Sequence, residues 1–421
     1  MTKINHIKYK QTEISLIPED WRVVKLGQVC EINPRRPKNF IRSHDAPTTF
    51  VPMAAVDEKT GTIAEPEIVP YSKVAKGYTY FEENNVLFAK ITPCMQNGKH
   101  VIARNLIDGI GFGTTEFHVL RSNNEILPEW IYYFIRQPHF LQEATTYFTG
   151  AVGQQRVPDS FLLNYIIPLP PIEEQKRITT KLQELMQEVG RARTACEKQL
   201  EAAKALPAAY LQEVFESEAA KKWERKKIGE VCKINSSRPK NFTRSSDSPT
   251  SFIPMAAVDE KTGTVAKPEV VPYSKVAKGY TYFEENDVLF AKITPCMQNG
   301  KHVIGKNLID GIGFGTTEFH VLRPSNEALS EWVWCFIRQP YFLNEATAYF
   351  TGAVGQQRVP DSFLSDYVIP VPSIEVQKNI IDELKEKMVQ VENLQSAIRN
   401  QQSALNALPQ SILRKAFRGE L

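Results

Sequence analysis

Apolar and polar positions along this chain follow two regimes, and each regime occurs twice. In the first, short apolar runs at 50–56, 86–91, 100–104 and 116–120 are punctuated by Gly and Pro, which predicts short strands. A helix is predicted over 128–146, where Trp130, Tyr133, Phe134, Phe140 and Leu141 recur at roughly helical spacing. In the second, Ile178, Leu182, Leu185, Val189, Ala192, Cys196, Ala203 and Leu206 step by four and three, the spacing of a heptad seam. The prolines of Pro168-Leu-Pro-Pro171 separate the regimes, because that string cannot continue a helix. Glu173 and Glu174 follow in a first turn, where the helix dipole favours anions.

Residues 21–219 recur at 223–421 without a gap, so that Trp21 answers to Trp223, Lys90 to Lys292 and Pro158 to Pro360. Between Pro52 and Arg121 only six of 70 positions differ from the second copy. Two near-identical folded units are therefore expected in one polypeptide. The second seam reads Ile380, Leu384, Met388, Val391, Leu394, Ile398, Leu405 and Leu408.

The expected fold class is α+β: two globular domains at 21–171 and 223–373, with helical spacers at 172–222 and 374–421 and an N-terminal arm at 1–20. Neither helix can bury its stripe alone, and a pseudo-dyad would set the two antiparallel. Gln199 and Gln401 interrupt the seams at matching places; they either face each other and fix the register or lie at the solvent edge. A helix from Ile172 to about Ala205 would be about 50 Å long, a rigid spacer. The arm precedes the first domain as 203–222 precedes the second, and is expected at the equivalent place.

The six cysteines form no CxxC and the seven histidines show no ligand spacing, which points to reduced thiols in a cytoplasmic protein and away from structural zinc. No run of about 18 apolar residues suggests a membrane span. Net charge is only +3, and each globular copy is near +1 by count. Nucleic acid is neither required nor excluded; any affinity would be patchy or shared with a more basic partner.

Two motifs are decoys. Gly109-Ile-Gly-Phe-Gly113 lacks the strand–turn–helix setting of a nucleotide loop and reads better as a strand connection. Pro158-Asp159 with Glu174-Gln-Lys176 resembles a metal-nuclease pattern, but the glutamate lies beyond a proline linker and the second copy has Val376 there. No catalytic constellation is found, so no cofactor or metal of the chain's own is expected.

Three stretches suit DNA. In the first, Arg36, Lys38, Asn39 and Arg42 recur as Arg238, Lys240, Asn241 and Arg244; cations suit phosphates and Asn a base edge. In the second, Lys90, Thr92, Gln96, Asn97 and Lys99 recur as Lys292, Thr294, Gln298, Asn299 and Lys301, in a polar loop that is equally a plain hairpin turn. In the third, Gln154, Gln155 and Arg156, repeated as Gln356, Gln357 and Arg358, follow a glycine that lets backbone approach a ligand. The rival readings are a palindrome-specific endonuclease, which needs a metal site in both copies, and a helical scaffold for protein partners.

Several strings resemble the specificity subunit of Type I restriction-modification enzymes. They are Tyr9-Lys-Gln-Thr-Glu-Ile-Ser-Leu-Ile-Pro-Glu-Asp-Trp21, the Gly-Gln-Gln-Arg-Val-Pro motif, Pro-Leu-Pro-Pro-Ile-Glu-Glu-Gln-Lys-Arg177 and the ending Leu408-Pro-Gln-Ser-Ile-Leu-Arg-Lys-Ala-Phe-Arg-Gly-Glu-Leu421. The resemblance implies two domains that each read half of a split double-stranded DNA site, joined by helices that dock adenine methyltransferase subunits. S-adenosylmethionine would sit on those partners, and ATP and Mg on a restriction subunit. Such subunits usually carry two dissimilar recognition domains. Here the two are nearly the same, so an inverted-repeat site is expected.

Overall fold

The computed structural model describes residues 8–14, 16–58, 60–151, 154–265, 268–353 and 356–421. Residues 152–153 and 354–355 of the two Gly-Gln-Gln-Arg motifs, and residues 1–7 and 15 of the arm, lie outside them. The chain divides into two compact units, 1–197 with 400–421, and 198–399.

The first unit holds two four-stranded sheets. One runs Glu67–Pro70, Pro47–Val51, Ile110–Gly113, Thr79–Glu82; the other runs Cys30–Ile32, Phe117–Ser122, Val86–Ala89, His100–Ile102. Among the described residues of this unit, only the pair Pro47–Val51 with Ile110–Gly113 is parallel. Strand Val86–Ala89 is buried along its whole length because both of its faces are covered. Leu87 and Ala89 meet Val51, Phe81 and Val119 between the sheets, whereas Val86 and Phe88 meet Trp130, Phe140 and Phe161 from the helices. Alternation with period two sends neighbouring residues into different cores, and each large side chain so buried contributes about 1.5–3 kcal/mol.

The glycines of the false nucleotide loop serve this packing. A Cβ at Gly111 would fall 2.3 Å from the Phe81 ring, so the strand can pass the ring only as glycine. The helix expected over 128–146 is two, Pro128–Ile135 and Pro138–Thr146, since Pro138 cannot donate to the preceding turn and starts a new helix instead. The expected strand over 50–56 stops at Val51 and turns through Met53–Ala55.

The second unit repeats this order, with sheets Glu269–Pro272, Pro249–Ile253, Ile312–Gly315, Thr281–Glu284 and Cys232–Ile234, Phe319–Pro324, Val288–Ala291, His302–Ile304.

The two long helices run Ile172–Glu216 and Ile374–Ala416, past the point where the first was expected to end. Pro207 and Pro409 lie inside them. A mid-helix proline loses a hydrogen bond, but the residues beyond it bury apolar surface: Leu211 and Phe215 in the second unit's core, Leu413 and Phe417 in the first's. The part of the chain that answers to 203–219 on the first domain is thus 405–421, not the arm. The arm forms the hairpin Tyr9–Gln11 with Leu16–Pro18 and lies against that segment, the Tyr9 hydroxyl donating to the Gly419 carbonyl at 3.2 Å.

Where the helices meet, they run antiparallel. In the first unit Arg177 donates to the carbonyl oxygen of Leu421 at 2.6 Å and Arg193 to that of Leu405 at 3.2 Å. In the second, Gln395 donates to the Ala203 carbonyl at 3.2 Å. Of the expected seam, Ile178, Leu182, Val189, Cys196, Ala203, Leu384, Val391 and Ile398 are buried. Leu185 is half-buried beside Met186, and Ile381 is buried more deeply than Ile380. Leu394 is 45% exposed, its place at the contact taken by Gln395. Gln199 and Gln401 are both exposed. The reason is rotation: 3.6 residues per turn does not divide seven, so a straight helix carries a heptad stripe gradually off the contact. No helix among the described residues is long and apolar enough to cross a membrane.

Candidate nucleic-acid interface

Each helical stretch is fixed to its domain by a polar residue that periodicity does not reveal. Gln175 is wholly buried; its side chain accepts from Leu127 N at 2.9 Å and donates to the carbonyls of Glu125 and Pro170, both at 2.9 Å. Gln377 makes the same three bonds in the second unit.

Against this frame the candidate segments come together in part. The segment from Thr149 to Val157 is stitched to the start of the polar loop: Thr92 N donates to Gln155 O at 3.0 Å and Val157 N to Lys90 O at 2.9 Å. His118 joins a third segment to these two. One ring nitrogen lies 2.8 Å from Val157 O and the other 2.9 Å from the Asn33 amide, while Asn33 Oδ1 accepts from Val119 N. That set fits a neutral ring protonated on Nε2. Burial lowers the pKa of His118, and the Val157 hydrogen bond opposes this. Asn33, with φ 54°, then starts the basic segment from a left-handed turn. Asn235, His320 and Val359 reproduce the arrangement.

At the centre sits a pair that sequence reasoning missed. Arg156 donates from Nε and Nη2 to both oxygens of Glu116, at 2.8 and 2.7 Å, and from Nη1 to Gln154 O at 2.9 Å. Hydrogen bonding to Arg156 holds the Glu116 carboxyl below the usual carboxylate range. Arg358 and Glu318 match them. With its guanidinium nitrogens engaged, Arg156 holds Gln154 and Gln155 in place and is no longer a free cation for phosphate. Gln154 is exposed and Gln155 half-buried.

Other expected contacts divide. Arg36 is exposed, donates to the Tyr71 hydroxyl at 2.7 Å and to Ala75 O at 3.2 Å, and lies over the Phe40 ring; Arg238 does the same with Tyr273, Ala277 and Phe242. Lys38, Asn39, Lys240 and Asn241 are exposed. Arg42 is turned inward: its side chain is 9% exposed and serves Thr48, Pro47 O and Asp108, as Arg244 serves Thr250, Pro249 O and Asp310. Lys99 reaches the carbonyls of Met53 and Val56, and Lys301 that of Met255. The hydroxyls of Thr92 and Thr294 are buried with no hydrogen-bond partner among the described residues. Arg42 and Lys99 instead satisfy loop carbonyls that are costly to bury without a donor.

Gln96 and Asn97 are exposed. Their loop is held from behind by Arg136, which donates to Gly98 O and Glu58 O at 2.9 Å each; Gln96 borders a groove beside the long helices. Gln298 and Asn299 occupy the matching loop, held by Arg338. Lys90 and Lys292 are half-buried next to the acid–arginine pair. Tyr78, 44% exposed and packed edge-on to Phe50 at 4.9 Å, was also missed; a lone tyrosine in a Gly-Tyr-Thr-Tyr string carries no signal beyond a strand.

A chain built twice from a two-sheet domain, with long helices passing into each unit, defines a repeated α+β recognition scaffold. Residues 18–201 and 220–402 match the family described as Type I restriction modification DNA specificity domain, and the chain belongs to that family. It is 39% identical over 171 residues to the Type I restriction enzyme EcoEI specificity subunit of Escherichia coli, covering 40% of this chain and 28% of that protein's length. It is 23% identical over 332 residues to the EcoKI specificity subunit of E. coli strain K12, covering 72% and 68%. The crystal structure of the HsdS subunit from Thermoanaerobacter tengcongensis superposes with a TM-score of 0.68 at 25% identity, over 96% of this chain and 98% of that one. A chain from a study of complex assembly and conformational transition of the type I R-M system gives 0.73 at 24% identity, over 96% and 99%.

Proposed function

We propose that this chain is the DNA-recognition subunit of a Type I restriction-modification complex and that it reads an inverted repeat. Each domain binds one half-site in double-stranded DNA, and the bases between the half-sites are not read. Gln154 and Gln155, held by the Arg156–Glu116 pair, are the first choice for base contacts, since a glutamine amide suits the two-point pattern of adenine in the major groove. Arg36, Lys38 and Lys90 supply phosphate contacts, with Asn39, Gln96 and Asn97 as further polar contacts.

The long helices dock methyltransferase subunits, and a restriction subunit joins through them. Catalysis resides on those partners, which carry S-adenosylmethionine, ATP and Mg; the chain itself is non-catalytic.

One observation supports the inverted repeat above all. The segments 71–83, 90–101 and 150–158 are identical in sequence to 273–285, 292–303 and 352–360, so two surfaces of the same chemistry are offered to one duplex. Mapping methylated adenines in cells that carry the system tests it. The same half-site on both strands is expected, and two unrelated half-sites would overturn the proposal. Metal-dependent cleavage by the purified chain alone would favour the endonuclease reading instead.

A further inference from the structure

The two domains are the same where bases would be read, but not where the backbone would be held. In the first domain a cavity of about 490 Å³ opens between the basic segment and the strand Thr79–Glu82, bordered by Asn33, Arg35, Arg36, Tyr78 and Lys90. Three of these are cations. Arg35 is exposed and makes no hydrogen bond or ion pair among the described residues. Arg36 is fixed by neutral partners only, the Tyr71 hydroxyl and a carbonyl. Among the described residues no acid lines the cavity; of the two that act on Lys90, Glu116 and Asp159, the first is engaged with Arg156. The lining thus gathers three cations and no carboxylate, a setting that favours an anion.

The second domain keeps Arg238 with the same two contacts and Lys292, but has Ser236-Ser237 where the first has Pro34-Arg35. The difference removes one cation and also the proline beside it, whose fixed φ stiffens the approach to Arg35.

We infer that this cavity seats a backbone phosphate, fully in the first domain and one contact short in the second. The chain therefore grips one half of a symmetric site harder than the other. This rests on the inverted-repeat reading, because only equal base-reading surfaces make the difference in backbone grip visible as a preference.

The test uses the full chain, with its methyltransferase partner where binding requires it. Two duplexes carry the half-site found by adenine mapping, one with both copies and one with the second copy scrambled. Arg35→Ser should weaken binding to the single-half-site duplex several-fold at 0.15 M salt and flatten the plot of log affinity against log salt by about 0.9. Ser237→Arg should steepen the plot for the symmetric duplex by about the same amount. Arg35→Lys should keep most of the wild-type slope. Slopes unchanged in both Arg35→Ser and Ser237→Arg would overturn the phosphate seat while leaving the inverted repeat standing. A wild-type chain that binds both duplexes alike would overturn the inverted repeat itself.

Discussion

The rings of Trp130 and Phe417 lie 4.5 Å apart, centre to centre and edge to face, although one is in the first domain and the other is almost at the end of the chain. Phe215 answers to Phe417 in the second unit, its ring tilted against Trp332 with centres 4.8 Å apart. Each domain core is thus completed by the far end of a long helix. Removing a ring from such a contact leaves a cavity as well as losing transfer energy. Phe417→Ala should cost the first unit about 3–5 kcal/mol, with Phe215→Ala doing the same to the second. Urea unfolding followed by limited proteolysis would separate the two; loss of less than about 1 kcal/mol in either would show that the core does not need the helix end.

Acid should weaken both units through a buried histidine. His100 is completely buried and stacked on Phe88 at 4.5 Å, and burial lowers its pKa to about 3; His302 on Phe290 is alike. The unfolded chain takes up these protons near pH 6.5. The folded pKa is depressed, so the stabilisation is complete above about 6.5 and is lost as the pH falls toward about 3. His100→Phe should flatten the dependence of stability on pH across that window by one proton's worth. Chemical denaturation at pH 7, 5.5 and 4.5 reads this directly, and parallel curves for wild type and variant would refute it.

The Arg156–Glu116 pair predicts a separation of affinity from selectivity. Glu116→Gln removes a negative charge and loosens the guanidinium, so binding to unrelated DNA should strengthen while preference for the target falls at least several-fold. Combining it with Glu318→Gln should deepen both effects. Competition binding at two salt concentrations measures the ratio; a variant that loses affinity for all DNA equally would show that the pair supports the fold only.

Asn85 in the first copy answers to Asp287 in the second, each directly before a buried strand, Val86–Ala89 or Val288–Ala291. Asp287 is buried and holds Arg323 with two bonds, 2.9 and 2.7 Å, where Asn85 lies 3.5 Å from Arg121. Asp287→Asn should destabilise the second unit by about 1–3 kcal/mol, and the effect should vanish when Arg323 is also replaced by Met. A double-mutant cycle by urea unfolding tests this.

If the helices set the gap between half-sites, deleting one heptad from both shortens the spacer by about 10 Å, or about 3 base pairs. Selection from duplexes of varied gap should return a shorter optimum; an unchanged optimum would assign the gap to the partners.

Repeats and seams were legible in the sequence because they depend on spacing alone, and the strand of Val86–Ala89 because its apolar run is continuous. What a polar side chain faces is a matter of distant residues. Arg42 and Lys38 look alike in the string Arg-Pro-Lys-Asn-Phe-Ile-Arg, yet one is tied to Asp108 and the other is exposed. Glu116 gave no warning, since its partner Arg156 lies 40 residues further on. The helix limits failed for a related reason: Pro207 argues for a stop locally, and only the burial of Phe215 overrides it.

The neutralised arginine also bears on how a target is found. A domain of nearly balanced charge, with its central guanidinium already held by an acid, exerts little long-range attraction on a duplex. Encounters with unrelated sequence should then be brief, and sliding along it short. Discrimination would lie in how long a correctly paired complex survives rather than in how quickly DNA is captured.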